Sequence, residues 1–208
     1  MLAGRPDRLQ GPPRGPNSAS PPPTSAPVPP MSDPLEFQIS LYPTPVLRKV
    51  ADPVEAFDEA LAEIVSAMYR RMVESKGVGL AAPQVGLKRR ILVVNATGEE
   101  EDNLTLINPT LVKRSGPATT FEEGCLSFPG IYAEVSRPSR CRVKAFNLQG
   151  EEFEAEYDDF VSRIIQHEYD HLEGILLVDR MSPADKLRHK AVLEEMIEDY
   201  RATQASAT

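Results

Sequence analysis

Cysteine, histidine and long apolar runs are scarce in this sequence, and the shortages of cysteine and of apolar runs argue against whole classes of protein. The 208 residues include two cysteines and three histidines. Two cysteines allow at most one disulfide, and without a secretory signal they favour a reducing compartment. No apolar run approaches the length of a membrane span. The net charge of −8 argues against nucleic acid as the main partner, because phosphate binding needs a basic surface.

Residues 1–33 differ in composition from the rest of the chain. They hold ten of the twenty prolines, mixed with glycine, serine and arginine, and such a segment has little apolar surface to bury. We predict a disordered extension over 1–33, a folded domain over 34–203 and a flexible tail over 204–208. The proline density argues against a transit-peptide helix, and Met31 is an alternative start. We therefore expect a bacterial-type cytoplasmic protein.

The apolar periodicity from residue 34 onward predicts an α+β fold. Asp58 is placed to cap a helix that runs to about Ser75, with Gly77 as its stop. A last helix is expected over about 183–202, because proline at its start suits a first turn. Short strands are expected at 91–94, 105–107, 111–113, 142–146 and 153–157. The expected architecture is small mixed or antiparallel β-sheets packed around a central helix, with an N-terminal and a C-terminal helix.

The central helix is predicted from about 159 to 173, with Gly174 at its end. Helical spacing places five apolar side chains on one face: Phe160, Val161, Ile164, Ile165 and Leu172. His167, Glu168 and His171 fall on that same face. The other polar side chains are expected elsewhere on the helix, mostly on its polar side: Ser162, Gln166, Tyr169, Asp170 and Glu173. We expect Asp170 to be a supporting or surface carboxylate rather than a metal ligand.

His167, Glu168 and His171 form an HExxH motif. Residues four apart lie on one helix face, so both imidazoles can reach one metal ion. The glutamate beside them can take a proton from water whose pKa the metal lowers. Two histidines could share a face by chance, but buried imidazoles need polar partners. The motif therefore predicts a catalytic metal site.

Two histidines leave a tetrahedral metal site short of a protein ligand, and the sequence offers several candidates. A metzincin would carry histidine six residues after His171, where this chain has Leu177. An endopeptidase of the gluzincin type would use a glutamate from a later helix, such as Glu194 or Glu195. Cys125 is the remaining candidate, because thiolate is a good ligand for Zn²⁺ and Fe²⁺. The residues alone leave the choice open.

Three segments together resemble the peptide deformylase family. Residues 77–84 read GVGLAAPQ and resemble its GxGxAAxQ motif, residues 123–127 match EGCLS, and residues 166–171 match QHExDH. Their order and spacing also fit, and the resemblance spans about 40 to 183. It implies a hydrolase that removes the N-formyl group from the N-terminal methionine of newly synthesised proteins and releases formate.

The resemblance implies a role for each matched polar residue. Three residues would hold one ion per chain, namely Cys125, His167 and His171. The implied ion is Fe²⁺, with Zn²⁺, Ni²⁺ or Co²⁺ as substitutes, and metal-bound hydroxide would attack the formyl carbonyl. Glu168 would act as general base and then as general acid. The Gln84 side-chain amide and the Leu126 backbone N–H would stabilise the developing oxyanion.

The resemblance also implies how the substrate is held. Five residues are expected to contact it, through apolar side chains or close backbone approach: Val78, Gly79, Gly124, Phe160 and Ile164. The expected partners are N-formylmethionyl nascent peptides, with transient proximity to the ribosome. No direct nucleic-acid binding and no membrane association are expected.

Overall fold

The computed structural model describes residues 35–206. The five helices are α1 (Glu59–Glu74), α2 (Asp159–Leu172), α3 (Leu177–Arg180), α4 (Pro183–Arg188) and α5 (Lys190–Ser206). The five strands are β1 (Gly79–Ala81), β2 (Ile91–Val94), β3 (Leu104–Cys125), β4 (Phe128–Phe146) and β5 (Glu152–Asp158). The predicted extension over 1–33 lies outside the described residues, and the division of the chain stays a prediction.

The five strands form an antiparallel sheet in the order β1-β2-β3-β4-β5. The predicted α+β class is confirmed. The separate strands expected at 105–107 and 111–113 are both parts of β3, which has 22 residues and pairs with the 19-residue β4. Register shifts between Ile107 and Thr110 and between Leu111 and Lys113 interrupt the ladder. Such bulges break the alternation of side chains, so the sequence pattern indicated only fragments of β3.

Strand β2 is apolar throughout because helices cover both of its faces. Ile91 and Val93 belong to the apolar cluster that contains four of the five buried residues of α1. Leu92 and Val94 belong to the cluster that contains the buried apolar residues of α2. Successive side chains of a strand point to opposite faces, so the sheet lies between α1 and α2 at this point. This packing places α2 in the interior, against β1 and β2.

Helix α1 begins where the sequence predicts, with the Asp58 side chain accepting a hydrogen bond from the Leu61 N–H at 3.0 Å. Its C-terminal turn differs in detail from the prediction. Lys76 adopts a left-handed φ of 56°, and the N–H groups of Lys76 and Gly77 bond back to carbonyls of the last turn. Gly77, the predicted stop, follows the left-handed residue. A Cβ on Gly77 would lie 3.0 Å from the Leu126 side chain, so this glycine allows close approach there.

Helix α2 ends at Leu172, and Gly174, the predicted stop, follows two residues later with a left-handed φ of 69°. Ser162, Gln166 and Asp170, which were expected mostly on its polar side, are all buried, so that side of the helix does not face solvent. Strand β4 packs against that side and supplies polar partners. Asp170, for example, pairs with Arg137 of β4 at 2.9 Å. The helix is therefore buried around most of its circumference.

The C-terminal region contains two helices where the sequence predicts one. The break falls at His189, whose Nε2 donates to the carbonyl oxygen of Tyr132 at 2.8 Å. Helix α5 continues to Ser206, so residues 204–206 of the predicted tail are helical. Among residues 35–206, no helix combines the length and apolar character that crossing a bilayer requires.

Candidate metal centre

Three buried side chains from β3 and α2 converge at one point. Cys125 is the last residue of β3, and His167 and His171 are one turn apart on α2. One ligand atom from each side chain lies within 4.8 Å of the other two. The Cys125 Sγ is 3.3 Å from the His171 Nε2, and the centroids of the two imidazole rings are 5.4 Å apart. The structure thus brings the three predicted ligands together.

The geometry and chemistry of this donor set fit a divalent metal ion. A tetrahedral ion with bonds of about 2.3 Å to sulfur and about 2.0 Å to nitrogen holds those ligand atoms about 3.5 Å apart. The separation of 3.3 Å between the Cys125 Sγ and the His171 Nε2 is close to that value. Thiolate and imidazole are ligands that suit Zn²⁺ and Fe²⁺. Three protein ligands leave one coordination position open, which is typical of catalytic sites.

The orientation of His167 is fixed by a carboxylate behind it. The His167 Nδ1 lies 2.9 Å from Glu123 Oε2, and Glu123 is fully buried. An ionised carboxylate only accepts hydrogen bonds, so the His167 Nδ1 carries a proton and Nε2 is the ring nitrogen left for a metal. Burial disfavours the ionised carboxylate, but hydrogen bonds from His167 and Arg137 and their positive charge hold the Glu123 pKa well below its usual range.

Two buried arginines complete the surroundings of Glu123. The Arg137 Nε donates to its carboxylate at 2.7 Å and the Arg163 Nη1 donates at 2.8 Å. Sequence reasoning missed this support, because Glu123 appeared only as part of a motif and neither arginine was singled out. One indication was available: Arg163 precedes His167 by four residues and therefore lies beside it on α2.

The two cysteines have opposite environments. Burial disfavours the Cys125 thiolate, but the positive charge of His171 and hydrogen bonds from His167 and His171 outweigh it and hold the thiol pKa well below its usual range. Cys125 is thereby favoured as the thiolate that binds metals. Cys141 lies in the apolar cluster between the sheet and α2, where burial raises its pKa. Cys141 is therefore a core residue.

One carboxylate oxygen of Glu168 is available for hydrogen bonding. Its Oε2 is buried and has no hydrogen-bond partner among residues 35–206, and burial raises the pKa of the carboxyl group. Gly79 of β1 provides the space for this side chain. A Cβ on Gly79 would lie 2.6 Å from Glu168 Oε1 and 2.6 Å from a methyl of Ile164, so another residue here would displace Glu168.

The two predicted oxyanion donors flank Cys125. Gln84 is buried, and its Oε1 accepts from the Ala81 N–H at 2.9 Å. Its Nε2 lies 3.5 Å from the Cys125 Sγ and 3.4 Å from the Ser127 Oγ. Leu126 directly follows Cys125, in the turn that joins β3 to β4. Both residues are thus placed beside the three candidate metal ligands, and their role as donors stays a prediction.

The residues predicted to contact the substrate lie close to the three candidate metal ligands. Val78, Phe160 and Ile164 belong to one apolar cluster, although Val78 and Phe160 are only partly buried. Gly79 begins β1, the edge strand of the sheet. Gly124 is buried beside Cys125. The structure brings these residues together, and their contact with substrate stays a prediction.

The alternative sources of a third ligand do not provide one. Leu177, at the metzincin position, has no ligand atom and is buried in the apolar cluster that also contains Cys125. Glu194 and Glu195 are exposed on α5. In the part of the chain that the structure describes, neither glutamate belongs to a cluster that could hold an ion with both histidines. The geometry favours Cys125.

The sequence is similar to known proteins over a range that includes the residues of this site. Residues 37–187 match the polypeptide deformylase family. The peptide deformylase of Chromobacterium violaceum is 44% identical over 154 residues, which are 74% of this chain and 92% of that protein. Peptide deformylase 1B, chloroplastic/mitochondrial, of Arabidopsis thaliana is 46% identical over 148 residues, 70% of this chain and 54% of that protein. The match therefore spans about half the length of the Arabidopsis relative.

Solved structures give the same result. A crystal structure of peptide deformylase from Plasmodium falciparum superimposes with a TM-score of 0.78 at 42% identity, covering 80% of this chain and 98% of that one. The peptide deformylase of Thermotoga maritima has a TM-score of 0.68 at 42% identity, covering 72% of this chain and 99% of that one.

An antiparallel sheet packed against a helix with an HExxH motif, facing a buried cysteine, defines a hydrolase-type site. The chain belongs to the polypeptide deformylase family. The predictions of family, fold class and enzyme are therefore confirmed.

Proposed function

We propose that this protein removes the N-formyl group from the N-terminal methionine of newly synthesised proteins and releases formate. The observation that carries the proposal is a buried Glu168 carboxylate whose Oε2 has no hydrogen-bond partner among residues 35–206. This carboxylate lies beside three residues that could hold a metal ion. A purely structural site has four protein ligands and needs no free base. The names of the relatives support the substrate class, since they are peptide deformylases.

Cys125, His167 and His171 would hold one ion per chain. A bound ion supplies a Lewis acid that polarises a carbonyl and lowers the pKa of water. We propose Fe²⁺, with Zn²⁺, Ni²⁺ or Co²⁺ as substitutes. The family resemblance supports iron, whereas the general order of metal affinities would favour zinc.

Glu168 would move the proton. Burial raises the pKa of this carboxyl group toward neutral pH. The carboxylate could therefore take a proton from the attacking water and later return it to the methionine amine. Because its Oε2 has no other partner among residues 35–206, no existing hydrogen bond must break first. Gly79 keeps the space for this carboxylate open.

Gln84 and Leu126 would stabilise the negative charge that develops on the formyl oxygen. The Gln84 Oε1 is held by the Ala81 N–H, so its NH₂ group faces Cys125. The backbone N–H of Leu126 follows directly in the chain. Loss of one donor of this kind typically lowers the rate by roughly 10²–10³.

The methionine side chain would bind against the apolar surface formed by Val78, Phe160 and Ile164. The free edge of β1 at Gly79 can pair with the backbone of an extended peptide. Gly124 allows close backbone approach beside Cys125. We further propose a bacterial-type cytoplasmic location with transient proximity to the ribosome, because the substrate is a nascent chain.

The test is formate release from a formyl-methionyl peptide under anaerobic conditions, with the protein loaded with Fe²⁺, Ni²⁺ or Co²⁺. We expect one formate for each amine released. Glu168→Ala should retain the ion and lower turnover by about 10²–10⁴-fold, the usual contribution of a general base. Absence of formate with all three metals would refute the proposal.

The two buried cysteines provide a matched pair of variants. Cys125→Ala should lose both the ion and activity, whereas Cys141→Ala should keep both, because Cys141 lies in the core. An endopeptidase with a glutamate ligand would instead retain its ion and activity in Cys125→Ala. Faster loss of activity in air for the Fe²⁺ form than for the Ni²⁺ form would support iron.

A further inference from the structure

A polar cavity of about 370 Å³ lies beside the C-terminal half of α2. Its lining includes Gln166 and Tyr169 from α2, Ser136 from β4, Arg114 from β3 and Arg180 from α3. None of the three metal-ligand residues lines it. The residues assigned above to the proton transfer and to the oxyanion, Glu168, Gln84 and Leu126, do not line it either.

The side chains behind the cavity carry an excess of positive charge. Glu123 and Asp170 are bound by three arginines, Arg137, Arg163 and Arg180. Arg137 bonds both carboxylates, and Arg180 bonds Asp170 at 2.6 Å. Three guanidinium groups for two carboxylates leave one positive charge uncompensated.

Arg114 adds a second uncompensated charge at the cavity. Its guanidinium carbon lies 5.9 Å from the centroid of the Tyr169 ring, which restrains its position. Across residues 35–206, no carboxylate lies within ion-pair distance of Arg114 and its guanidinium makes no hydrogen bond. Glu173, the other acid in the lining, is already paired with Arg90 at 2.7 Å. Counted together with Arg90, Arg163 and Glu123, which pair with one another or with its lining, the cavity therefore has an excess of two positive charges in a chain of net charge −8.

The hydrogen-bond donors in this cavity are also available. No group among residues 35–206 bonds to the five N–H groups of Arg114, so they are available to a ligand. Arg180 uses its Nε and Nη2 on Asp170, which leaves its Nη1. The Ser136 hydroxyl lines the same cavity. Two guanidinium groups and a hydroxyl form a donor set suited to an oxyanion, since guanidinium groups bind phosphate and carboxylate oxygens in pairs.

We propose that this cavity binds the phosphate group of a small phosphorylated molecule. A phosphate monoester carries close to two negative charges at neutral pH, because its second pKa is about 6, and this matches the excess of two. A carboxylate would neutralise only one. The volume is also larger than phosphate alone requires and falls at the lower end of the range of about 300–1,000 Å³ for small-molecule sites.

The test is binding of glycerol 3-phosphate and of inorganic phosphate to the metal-loaded full chain, measured by calorimetry in a buffer without other oxyanions. Arg114→Gln should weaken binding of both probes by at least about tenfold, because a hydrogen bond to a charged group contributes about 1.5–3 kcal/mol. The variant should fold normally, since this guanidinium bonds to nothing else among the described residues. An unchanged melting temperature checks that point.

Arg142→Gln is the matched control. Arg142 is an exposed arginine of β4 that pairs with Glu154 and Glu156 and does not line the cavity. It removes the same charge and should change binding less than twofold. Tighter binding of glycerol 3-phosphate supports an organic ligand, and equal binding of the two probes supports the phosphate group as the element recognised.

Three results would overturn the proposal. The first is that neither probe binds at millimolar concentration. The second is that Arg142→Gln weakens binding as much as Arg114→Gln, which would indicate an effect of net charge alone. The third is that binding is unchanged in Arg114→Gln, which would place the probe elsewhere, for instance on the bound metal. None of these results depends on deformylase activity, so the two proposals can fail separately.

Discussion

The two histidines of the metal centre are one turn apart on α2, yet the regions behind them differ. Behind His167 lies a buried charge cluster, which we define as Glu123, Arg137, Arg163 and Asp170. Behind His171, the Nδ1 is buried and has no hydrogen-bond partner within residues 35–206. One imidazole is thus oriented by hydrogen bonds, and the other by packing and by the Cys125 thiol 3.3 Å away.

This difference indicates how the site is assembled. A carboxylate on the far nitrogen of a histidine ligand fixes its ring and tautomer and raises its basicity. The fold therefore fixes the orientation of the His167 ring through Glu123. The orientation of the His171 ring depends more on its contact with Cys125. The buried charge cluster, moreover, links β3, β4 and α2, so the same ion pairs serve folding and the metal centre. Perturbing the cluster should affect stability first and metal retention second.

The largest expected effect is on stability. Arg137→Leu removes the only residue that bonds both Glu123 and Asp170 in the buried charge cluster. Removing one partner of a buried ion pair leaves uncompensated charge and costs about 3–5 kcal/mol. Because Arg163 and Arg180 still compensate part of this charge, we expect a loss of about 3 kcal/mol in the free energy of unfolding, measured in urea.

Arg142→Leu is the control on the same strand. Its ion pairs with Glu154 and Glu156 are about half exposed, and exposed pairs contribute about 0–1 kcal/mol. Equal losses in the two variants would show that burial of the charge cluster has no special importance.

The next effect is on metal retention. Glu123→Gln replaces an ionised carboxylate by a neutral amide, so the support for the His167 ring becomes weaker. Mutation of such supporting groups typically costs about 10–100-fold in metal affinity. The measurement is competition for Zn²⁺ with a chelator of known affinity. Glu122→Gln, at the exposed neighbouring position, should leave the affinity unchanged. Unchanged affinity in Glu123→Gln would mean that His167 needs the cluster no more than His171 does.

The parts of this region that could be predicted from the sequence are those whose interactions join residues close together in the chain. The ends of α1 and α2 follow from local residues, Asp58 and Gly174. The ligand pair His167 and His171 follows from helical spacing. Strand β3 was predicted only as fragments, because its outer part is defined by pairing with β4 and not by its own pattern.

The ion pairs of the buried charge cluster could not be predicted from the sequence. Glu123 meets Arg137 across 14 residues and Arg163 across 40 residues of chain, and no periodicity connects positions so far apart. A glutamate and an arginine also look like surface residues in a sequence, because charged groups are rarely buried unless paired. Asp170 was placed on a polar helix face for the same reason.

The smallest expected effect is on the pH dependence of stability, and it isolates Glu123. Hydrogen bonds from His167 and Arg137 hold its pKa below the ordinary 4.5 despite burial. A carboxyl group with a lowered folded-state pKa contributes stability that is fully present above its unfolded-state pKa and is lost as pH falls through the folded-state value. Below about pH 4.5 the wild type should therefore lose up to about 1.4 kcal/mol per pH unit more than Glu123→Gln. Urea unfolding of both proteins between pH 7 and 3 measures this difference in slope. Parallel curves would mean that Glu123 keeps an ordinary pKa, and that the regions behind the two histidines differ in geometry but not in charge.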